Sequence, residues 1–188
     1  MAKHTAVLAA VVAAVSLAIT AWGTYKAAQV ADDQLSQSRE DGDKEKRAQA
    51  SRVNAWAEGQ ALVTANRSLD PVVMSVFLNS AERRKAHSKM VTYVYFGVVP
   101  PCTSVQIPRS VVYTRAAELT DPPGTDWRIR GLHFVTSDGT FWVRWNFGGG
   151  RLSETKDAAA ARREGDYGLI ADKRAKLTRL TECGSAAK

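Results

Sequence analysis

The chain has 188 residues, of which 45% are apolar and 24% charged, a composition that suits one small domain with appended segments. Its net charge of +7 is spread along the sequence without a dense basic block, which argues against a dedicated nucleic-acid binder. The two cysteines, Cys102 and Cys183, form no C-x-x-C pair, which argues against a zinc cluster. The two cysteines either form a disulfide, if the domain lies outside the cytoplasm, or remain two inert thiols.

The N-terminal segment is apolar: residues 5–25 contain no charged side chain. A helix that rises about 1.5 Å per residue crosses the ~30 Å hydrocarbon core with about 20 residues, so this run is long enough to span a bilayer. Trp22 and Tyr25 lie at its end, where amphipathic rings favour the head-group region. The alternative, a cleaved signal peptide, would have an apolar region of about 7–15 residues. The sequence therefore predicts a single transmembrane anchor over residues 1–26, inserted N-in and C-out into the plasma membrane.

Alanine recurs at every fourth position of this run, which on a helix makes one stripe of small side chains. Such stripes allow two helix backbones to approach closely in lipid, so the pattern predicts self-association in the membrane. Chance spacing in an Ala-rich anchor is the alternative. The stripe consists of Ala6, Ala10, Ala14 and Ala18.

Residues 27–50 are charged, rich in Ala and Gln, and free of aromatic residues and Pro. Most are good helix formers, so a helical stalk that continues from the anchor is predicted. Neither heptad register is apolar enough for a sustained coiled coil, and Gly42 would weaken the helix. The segment is therefore interpreted as a solvated spacer.

Residues 51–154 change to short apolar runs with period-two alternation, which is typical of β-strands. Asn66 and Pro71 bound a predicted turn, and Asp138-Gly139 marks a predicted β-hairpin. Residues 79–90 are predicted as a polar loop or short helix. This pattern of about seven to eight strands predicts a small antiparallel immunoglobulin-like sandwich, with a small barrel as the alternative. The predicted strands are 53–56, 61–65, 72–78, 91–99, 104–107, 110–114, 131–136 and 140–147, and a last short strand starts at Arg151.

The basic tail, residues 155–188, is predicted to contain one or two short helices. Gly165 and Gly168 interrupt the helical pattern. The side chains expected on one helix face are Leu169, Ile170, Lys173, Leu177 and Leu180.

The order of these features resembles that of uncharacterised, single-pass membrane-anchored proteins of high-GC Gram-positive bacteria. Their pattern is an anchor, a charged stalk, a strand ending in Trp, an Asn-Arg-Ser-x-x-Pro-Val turn, a Gly-x-x-Pro-Pro element, and a hairpin with Trp-x-Arg followed by Gly-x-Leu. The resemblance covers about residues 1–154 and implies architecture and location only, because no activity comes with it. The matching segments are residues 53–56, 66–72, 97–101, 136–144 and 150–152.

A search for catalytic chemistry finds little. Cys102 and His133 would be the minimal nucleophilic pair, but nothing in the sequence brings them together. Gly148, Gly149 and Gly150 lack the strand–glycine–helix context of a phosphate cradle. The sequence therefore predicts no catalytic residues, no metal site and no cofactor.

Trp142 and Trp145 fall on opposite faces of one predicted strand, because strand side chains alternate. One is expected in the core and the other exposed beside Arg128, Arg130 and Arg144, which would form a Trp–Arg binding patch. Alternatively, the tryptophan outside the core is covered by the C-terminal helix. The leading hypothesis is a membrane-tethered, non-enzymatic module that binds an unknown protein partner through this patch or a strand edge. The alternatives are a basic surface that binds lipid or nucleic acid, and an enzyme of unknown class.

Overall fold

The computed structural model describes residues 2–80, 91–120, 126–145, 150–156 and 168–183, with side chains described from residue 13 onwards. The chain divides into two compact units, Met1–Arg47 and Ala48–Lys188. The first unit is helical, and the second contains all of the described β-strands.

Helix α1 spans Ala2–Ser51, so the segments predicted as anchor and as stalk form one continuous helix. Gly42 lies inside this helix without interrupting it. From residue 13 onwards, no helix of the described chain combines the length and the apolar character needed to cross a membrane.

Nine strands and two further helical segments lie in the described part of the second unit. Helix α2 spans Arg109–Glu118, and a 3-10 helix spans Leu169–Ala171. The strands are β1 Val53–Glu58, β2 Ala61–Asn66, β3 Val72–Ser80, β4 Thr92–Val99, β5 Thr103–Pro108, β6 Trp127–Val135, β7 Phe141–Trp145, β8 Leu152–Glu154 and β9 Lys176–Arg179.

The strands form two antiparallel sheets, one with the order β1-β2-β5-β9 and one with the order β4-β3-β6-β7-β8. One buried apolar cluster contains side chains from both sheets, from α2 and from Ala50 in the last turn of α1. The prediction of a mainly β fold with antiparallel sheets is therefore confirmed, and the two sheets fit a β-sandwich.

One predicted strand is wrong: residues 110–114 belong to helix α2. Val111, Val112 and Tyr113 suggested a strand because β-branched and aromatic side chains favour extended backbone. In the structure Val112 and Ala116, four residues apart, are both fully buried, which places them on one helix face. Pro108 ends β5 and fits the position directly before the helix.

The predicted helical tail is also corrected in its described part. Residues 176–179 form strand β9, which pairs with β5 so that Arg179 lies opposite Thr103. Leu177, expected on one face of a tail helix, lies in this strand and is 49% exposed. The tail extends the four-stranded sheet because β5 would otherwise present its unpaired backbone groups at the sheet edge. Residues 157–167 lie outside the described chain.

Two predicted turns are formed as their residue types indicated. In the β6–β7 hairpin, Gly139 has a φ of +80°, and Asp138 Oδ1 accepts hydrogen bonds from Thr136 Oγ1 at 2.7 Å and from the backbone N of Thr140 at 3.1 Å. In the turn after β2, Asn66 Oδ1 accepts from the backbone N of Ser68 at 3.0 Å. These local bonds fix where the flanking strands begin and end.

Candidate functional site

The outer face of the five-stranded sheet, which points away from the apolar cluster, carries a row of aromatic side chains. Along β3 the residues Val72, Met74, Val76 and Leu78 enter the core, so the alternate residue Phe77 points outward. The same alternation places four further rings on this face. The aromatic row, as we call it, consists of Trp145, Phe77, Tyr93, His133 and Phe141.

The rings of the aromatic row contact one another in sequence across four strands. Phe77 and Trp145 meet edge to face with ring centroids 5.0 Å apart, and Phe77 and Tyr93 are 6.1 Å apart. Tyr93 and His133 meet edge to face at 6.0 Å, and His133 and Phe141 are 5.9 Å apart. All four distances lie in the range in which aromatic pairs attract one another.

The strand register explains why Phe77 and Trp145 can touch although they are not on neighbouring strands. Phe77 lies opposite Gly131 on β6, and Gly131 lies opposite Trp145 on β7. A Cβ atom at Gly131 would lie 2.6 Å from Cζ of Phe77, so the missing side chain leaves the space that the Phe77 ring fills. A glycine inside a strand often marks such a close approach.

Exposure varies strongly along the aromatic row. Phe77 is 2% exposed and His133 is 1% exposed, so both are buried although they point away from the core. Trp145 is 47% exposed. Trp145 is therefore the accessible end of a packed row of rings.

The two tryptophans of β7 divide between core and surface, as their alternation predicts. Trp142 is 3% exposed, packs in the core cluster, and donates a hydrogen bond from Nε1 to Thr136 Oγ1 at 3.2 Å. Trp142 thus supports the hairpin from the inside, and only Trp145 is available at the surface.

Arg144 does not belong to an exposed patch, and this part of the sequence-based expectation is wrong. It is 8% exposed, and its guanidinium donates from Nε to the carbonyl oxygen of Val53 at 3.0 Å and from Nη2 to that of Ser51 at 3.1 Å. Burial lowers its pKa because desolvation disfavours the charged form. Arg144 therefore ties β7 to the junction between α1 and β1.

Arg128 and Arg130 are exposed residues of β6, as expected. Arg128 Nη2 lies 3.6 Å from Asp126 Oδ2 in a surface ion pair. Arg128 also lines a cleft with Trp127 and Arg109, separate from the aromatic row. Of the predicted Trp–Arg residues, the structure places Trp145 in the aromatic row, Arg128 at the cleft, and Trp142 and Arg144 in the interior. Arg130 is exposed on β6, next to Gly131, which pairs with Trp145.

Cys102 and Cys183 form a disulfide, with their Cα atoms 5.3 Å apart. The bond joins the residue before β5 to the segment after β9, and Leu180 N donates to the carbonyl oxygen of Cys102 at 2.7 Å beside it. A disulfide sulfur is not a nucleophilic thiolate, so this state of Cys102 does not supply the Cys–His pair considered from the sequence. His133 instead packs between Tyr93 and Phe141.

The residues that sequence reasoning missed are the inner members of the aromatic row. Tyr93 and Phe77 were placed on strands, but nothing in a single strand shows that Phe77 reaches Trp145 or that Tyr93 packs against Phe77. Gly131 in the middle of a β-pattern was the one available signal. Within the described residues, no group of three or more His, Cys, Asp or Glu side chains is placed to hold a metal ion.

Comparison of the chain with protein-family models, with curated proteins and with solved structures finds no match, so its function is inferred from its own residues.

Proposed function

We propose that the chain is a membrane-tethered, non-enzymatic interaction module whose β domain binds a protein partner at the exposed end of the aromatic row. The observation that carries this proposal is Trp145, which is 47% exposed and held edge to face against the buried Phe77. Tryptophan is enriched among the residues that contribute most to protein interfaces. A ring that is already held in place loses little conformational freedom on binding, which favours affinity.

The tether is supported by the sequence of residues 5–25, which carries no charge over a length that suits a bilayer. The disulfide between Cys102 and Cys183 supports an extracytoplasmic position for the domain, because disulfides persist in oxidising compartments. In this arrangement residues 27–50 hold the domain off the bilayer, and the alanine stripe of the anchor provides a surface for self-association.

We also propose that the sandwich is immunoglobulin-like. The order of the first seven strands supports this, because β1-β2-β5 in one sheet and β4-β3-β6-β7 in the other correspond to A-B-E and C′-C-F-G. The disulfide differs from the inter-sheet bond of antibody domains, since it joins the segments that flank β5 and β9.

The interaction is tested by placing a photo-crosslinking amino acid at position 145 in the full-length chain in its native membrane. Position 69 serves as the matched control, because Leu69 is 65% exposed and lies outside the aromatic row. We expect a discrete protein adduct from position 145 that is missing from position 69. The same adducts from both positions, or none from either, would overturn the proposal.

Salt dependence separates the protein partner from the basic-surface alternatives. Binding through an aromatic anchor should change little with ionic strength, whereas binding of anionic lipid or nucleic acid through Lys and Arg should weaken steeply. A position-145 adduct with lipid or nucleic acid that is lost steeply with added salt would favour those alternatives.

The tether and its orientation are tested together in intact cells with a membrane-impermeant thiol reagent. We expect full-length chain in the membrane fraction, and labelling only after a membrane-impermeant reductant has opened the disulfide. Labelling that requires lysis would contradict the extracytoplasmic position. Recovery of the intact chain in the soluble fraction would contradict the tether.

A further inference from the structure

Strand β9 ends the four-stranded sheet and is exposed along its whole length. In the order β1-β2-β5-β9 its only neighbour within the described chain is β5. All four of its residues are exposed, and Leu177 among them is 49% exposed. A groove of about 520 Å³, lined by residues 100–103 and 177–179, adjoins the strand. The strand therefore borders open space.

The ladder between β5 and β9 shows which backbone groups of β9 point away from the sheet. Leu180 N donates to the carbonyl oxygen of Cys102 at 2.7 Å, and these two residues lie opposite each other when the register is continued by one position. Hydrogen-bonded and non-bonded pairs alternate along an antiparallel ladder, so the next bonded pair is Thr178 with Ser104. Thr178 thus directs its N–H and C=O towards β5, and its neighbour Leu177 directs both outward.

The outward residues, Leu177 and Arg179, present two N–H and two C=O groups at the free edge. None of the hydrogen bonds within the described residues ends on these four groups. The opposite edge of the same sheet is different: on β1 the carbonyl oxygen of Val53 accepts from Arg144 Nε at 3.0 Å, and Ala55 N donates to the side-chain oxygen of the preceding residue at 2.8 Å. An unpaired row of backbone groups is a template for a further strand, and β9 carries it.

The charge along β9 selects the kind of strand that can pair with it. Lys176 and Arg179 lie at its two ends, and neither forms an ion pair with the described residues. Of the acidic residues nearby in sequence, Asp172 is already paired with Arg174 at 2.9 Å, and Glu182 lies beyond the end of the strand. A second copy of β9 would bring like charges to this edge, which is unfavourable across a strand pair, whereas carboxylates would be attracted. The charge therefore favours an acidic strand.

We propose that the outer edge of β9 binds an acidic peptide segment in extended conformation, as an added antiparallel strand. The peptide residue opposite Leu177 exchanges two hydrogen bonds with it and carries an aliphatic side chain, which covers the exposed leucine. A carboxylate two positions earlier in the peptide lies opposite Arg179, and another one position later lies opposite Lys176. The recognised pattern is thus an acidic residue, any residue, an aliphatic residue and an acidic residue. β9 belongs to the sheet that does not contain Trp145, so this inference does not depend on the proposed function.

The probe is the peptide acetyl-Thr-Glu-Thr-Val-Glu-Thr-amide, added to the full-length, solubilised chain while the backbone amide resonances of β9 are followed by NMR. In the proposed register its valine lies opposite Leu177. We expect the amide hydrogens of Leu177 and Arg179 to move downfield and to exchange more slowly, while that of Thr178, which already donates towards β5, keeps its protection. No change at Leu177 and Arg179 up to about 5 mM peptide, a concentration at which even weak binding is visible, would overturn the proposal.

Two N-methylated peptides separate strand pairing from attraction between charges. Methylation of the valine nitrogen removes a donor that faces β9, whereas methylation of the threonine nitrogen just before it removes a donor that points away. We expect binding to weaken at least about tenfold for the first peptide and to change little for the second. Equal binding of the two would overturn strand addition.

A peptide with lysine in place of both glutamates tests the acidic character of the partner. We expect it to bind at least about fivefold more weakly, because its charges lie opposite Lys176 and Arg179. Equal binding of the lysine peptide and the glutamate peptide would overturn the choice of an acidic strand.

Leu177→Pro is the matching change in the protein. The N–H that it removes points away from β5, and proline is tolerated on an edge strand at such a position, so the amide of Thr178 should stay protected. We expect this variant to lose peptide binding and Leu177→Ala, which keeps the N–H, to retain most of it. Binding to Leu177→Pro at the parent affinity would overturn the proposal. Trp145→Ala should bind the peptide normally, so failure at β9 is separable from failure of the aromatic row.

Discussion

Gly131 and Phe77 face each other across β6 and β3, and the ring of Phe77 occupies the space that a side chain at Gly131 would need. This contact lets Phe77 reach Trp145 on the strand beyond. We expect Gly131→Ala to destabilise the domain by about 1–3 kcal/mol, because the added Cβ would clash first with the backbone carbonyl oxygen of Arg144 on β7 and then with the Phe77 ring. Urea unfolding measures the change.

Gly42→Ala is the matched control for Gly131→Ala. A Cβ at Gly42 would meet nothing within 4 Å, and Gly42 lies inside helix α1. We expect this variant to be neutral or to stabilise the helix by up to about 1 kcal/mol. A Gly131→Ala variant that unfolds at the same urea concentration as the parent would show that the close packing of Gly131 against β7 and Phe77 is not formed.

Arg144 joins β7 to the carbonyl oxygens of Ser51 and Val53. Arg144→Met keeps most of the side-chain volume and removes the donors, so we expect a loss of about 2–3 kcal/mol from the unpaired buried acceptors. The exposed Arg130→Met should change stability by less than about 0.5 kcal/mol. Equal stability of the two variants in urea would contradict the structural role of Arg144.

The disulfide closes a loop with a sequence separation of 81 residues. In the chain-entropy account a loop of this length stabilises the folded state by about 4.5 kcal/mol, an upper value for the loss on removal. We expect Cys102→Ser with Cys183→Ser to lower the unfolding temperature, and a reductant to lower that of the parent equally while leaving the double variant unchanged. If the reductant also lowered the unfolding temperature of the double variant, its effect on the parent would not come from opening the disulfide.

Asn66 is buried, and its Nδ2 faces three carbonyl oxygens, those of Asp70 at 2.8 Å and of Val99 and Pro100 at 3.1 Å each. Asn66→Asp replaces this donor by a carboxylate oxygen, so we expect a loss of about 2–4 kcal/mol at neutral pH. The loss should shrink as the pH falls, because a protonated carboxyl can donate.

Asn54→Asp is the control for Asn66→Asp. Asn54 is only partly buried, and its Oδ1 already acts as an acceptor, for the backbone N of Ala55 at 2.8 Å. We expect this variant to keep nearly the parent stability, measured in urea at pH 7 and pH 4. A pH-independent loss in Asn66→Asp would contradict the burial of its carboxylate against carbonyl oxygens.

Arg174 holds the pKa of the Asp172 carboxyl at about 2, first through a hydrogen bond from its side chain and then through one from its backbone N. Because this pKa is below the ordinary value of 3.8, the pair stabilises the fold above that value, and its contribution is lost as the pH falls through about 2. We expect Arg174→Met to raise the carboxyl pKa towards 3.8 in a ¹³C-detected titration. Lys173→Met should leave it unchanged.

Patterns with a local cause were predictable from the sequence. The strands around the Asp138-Gly139 hairpin follow from alternation and turn chemistry, and so does the placement of Trp142 and Trp145 on opposite faces of one strand. The structure decides which of the two is buried. Residues 110–114 were misassigned because their β-branched and aromatic side chains suit either state. Only the tertiary structure establishes the helix, because it buries Val112 and Ala116 on the same side of this segment.

The candidate sites could not be predicted in the same way, because they combine residues from distant segments. Arg144 looked like a surface arginine until its acceptors, some 90 residues earlier in the chain, were in place. Arg109 and Trp127 come together only because the β1–β2 turn and the start of β6 meet at one end of α2.

By itself, the sequence determined the long N-terminal helix, the mainly β character of the following domain and the opposite faces of Trp142 and Trp145, since each depends on neighbours within a few positions. Only the tertiary structure decided the pairing of Cys102 with Cys183, the β9 strand in the tail, the aromatic row and the exposure of Trp145 rather than Trp142. The physical reason is that strand pairing and core packing join segments whose separation along the chain carries no periodic signal.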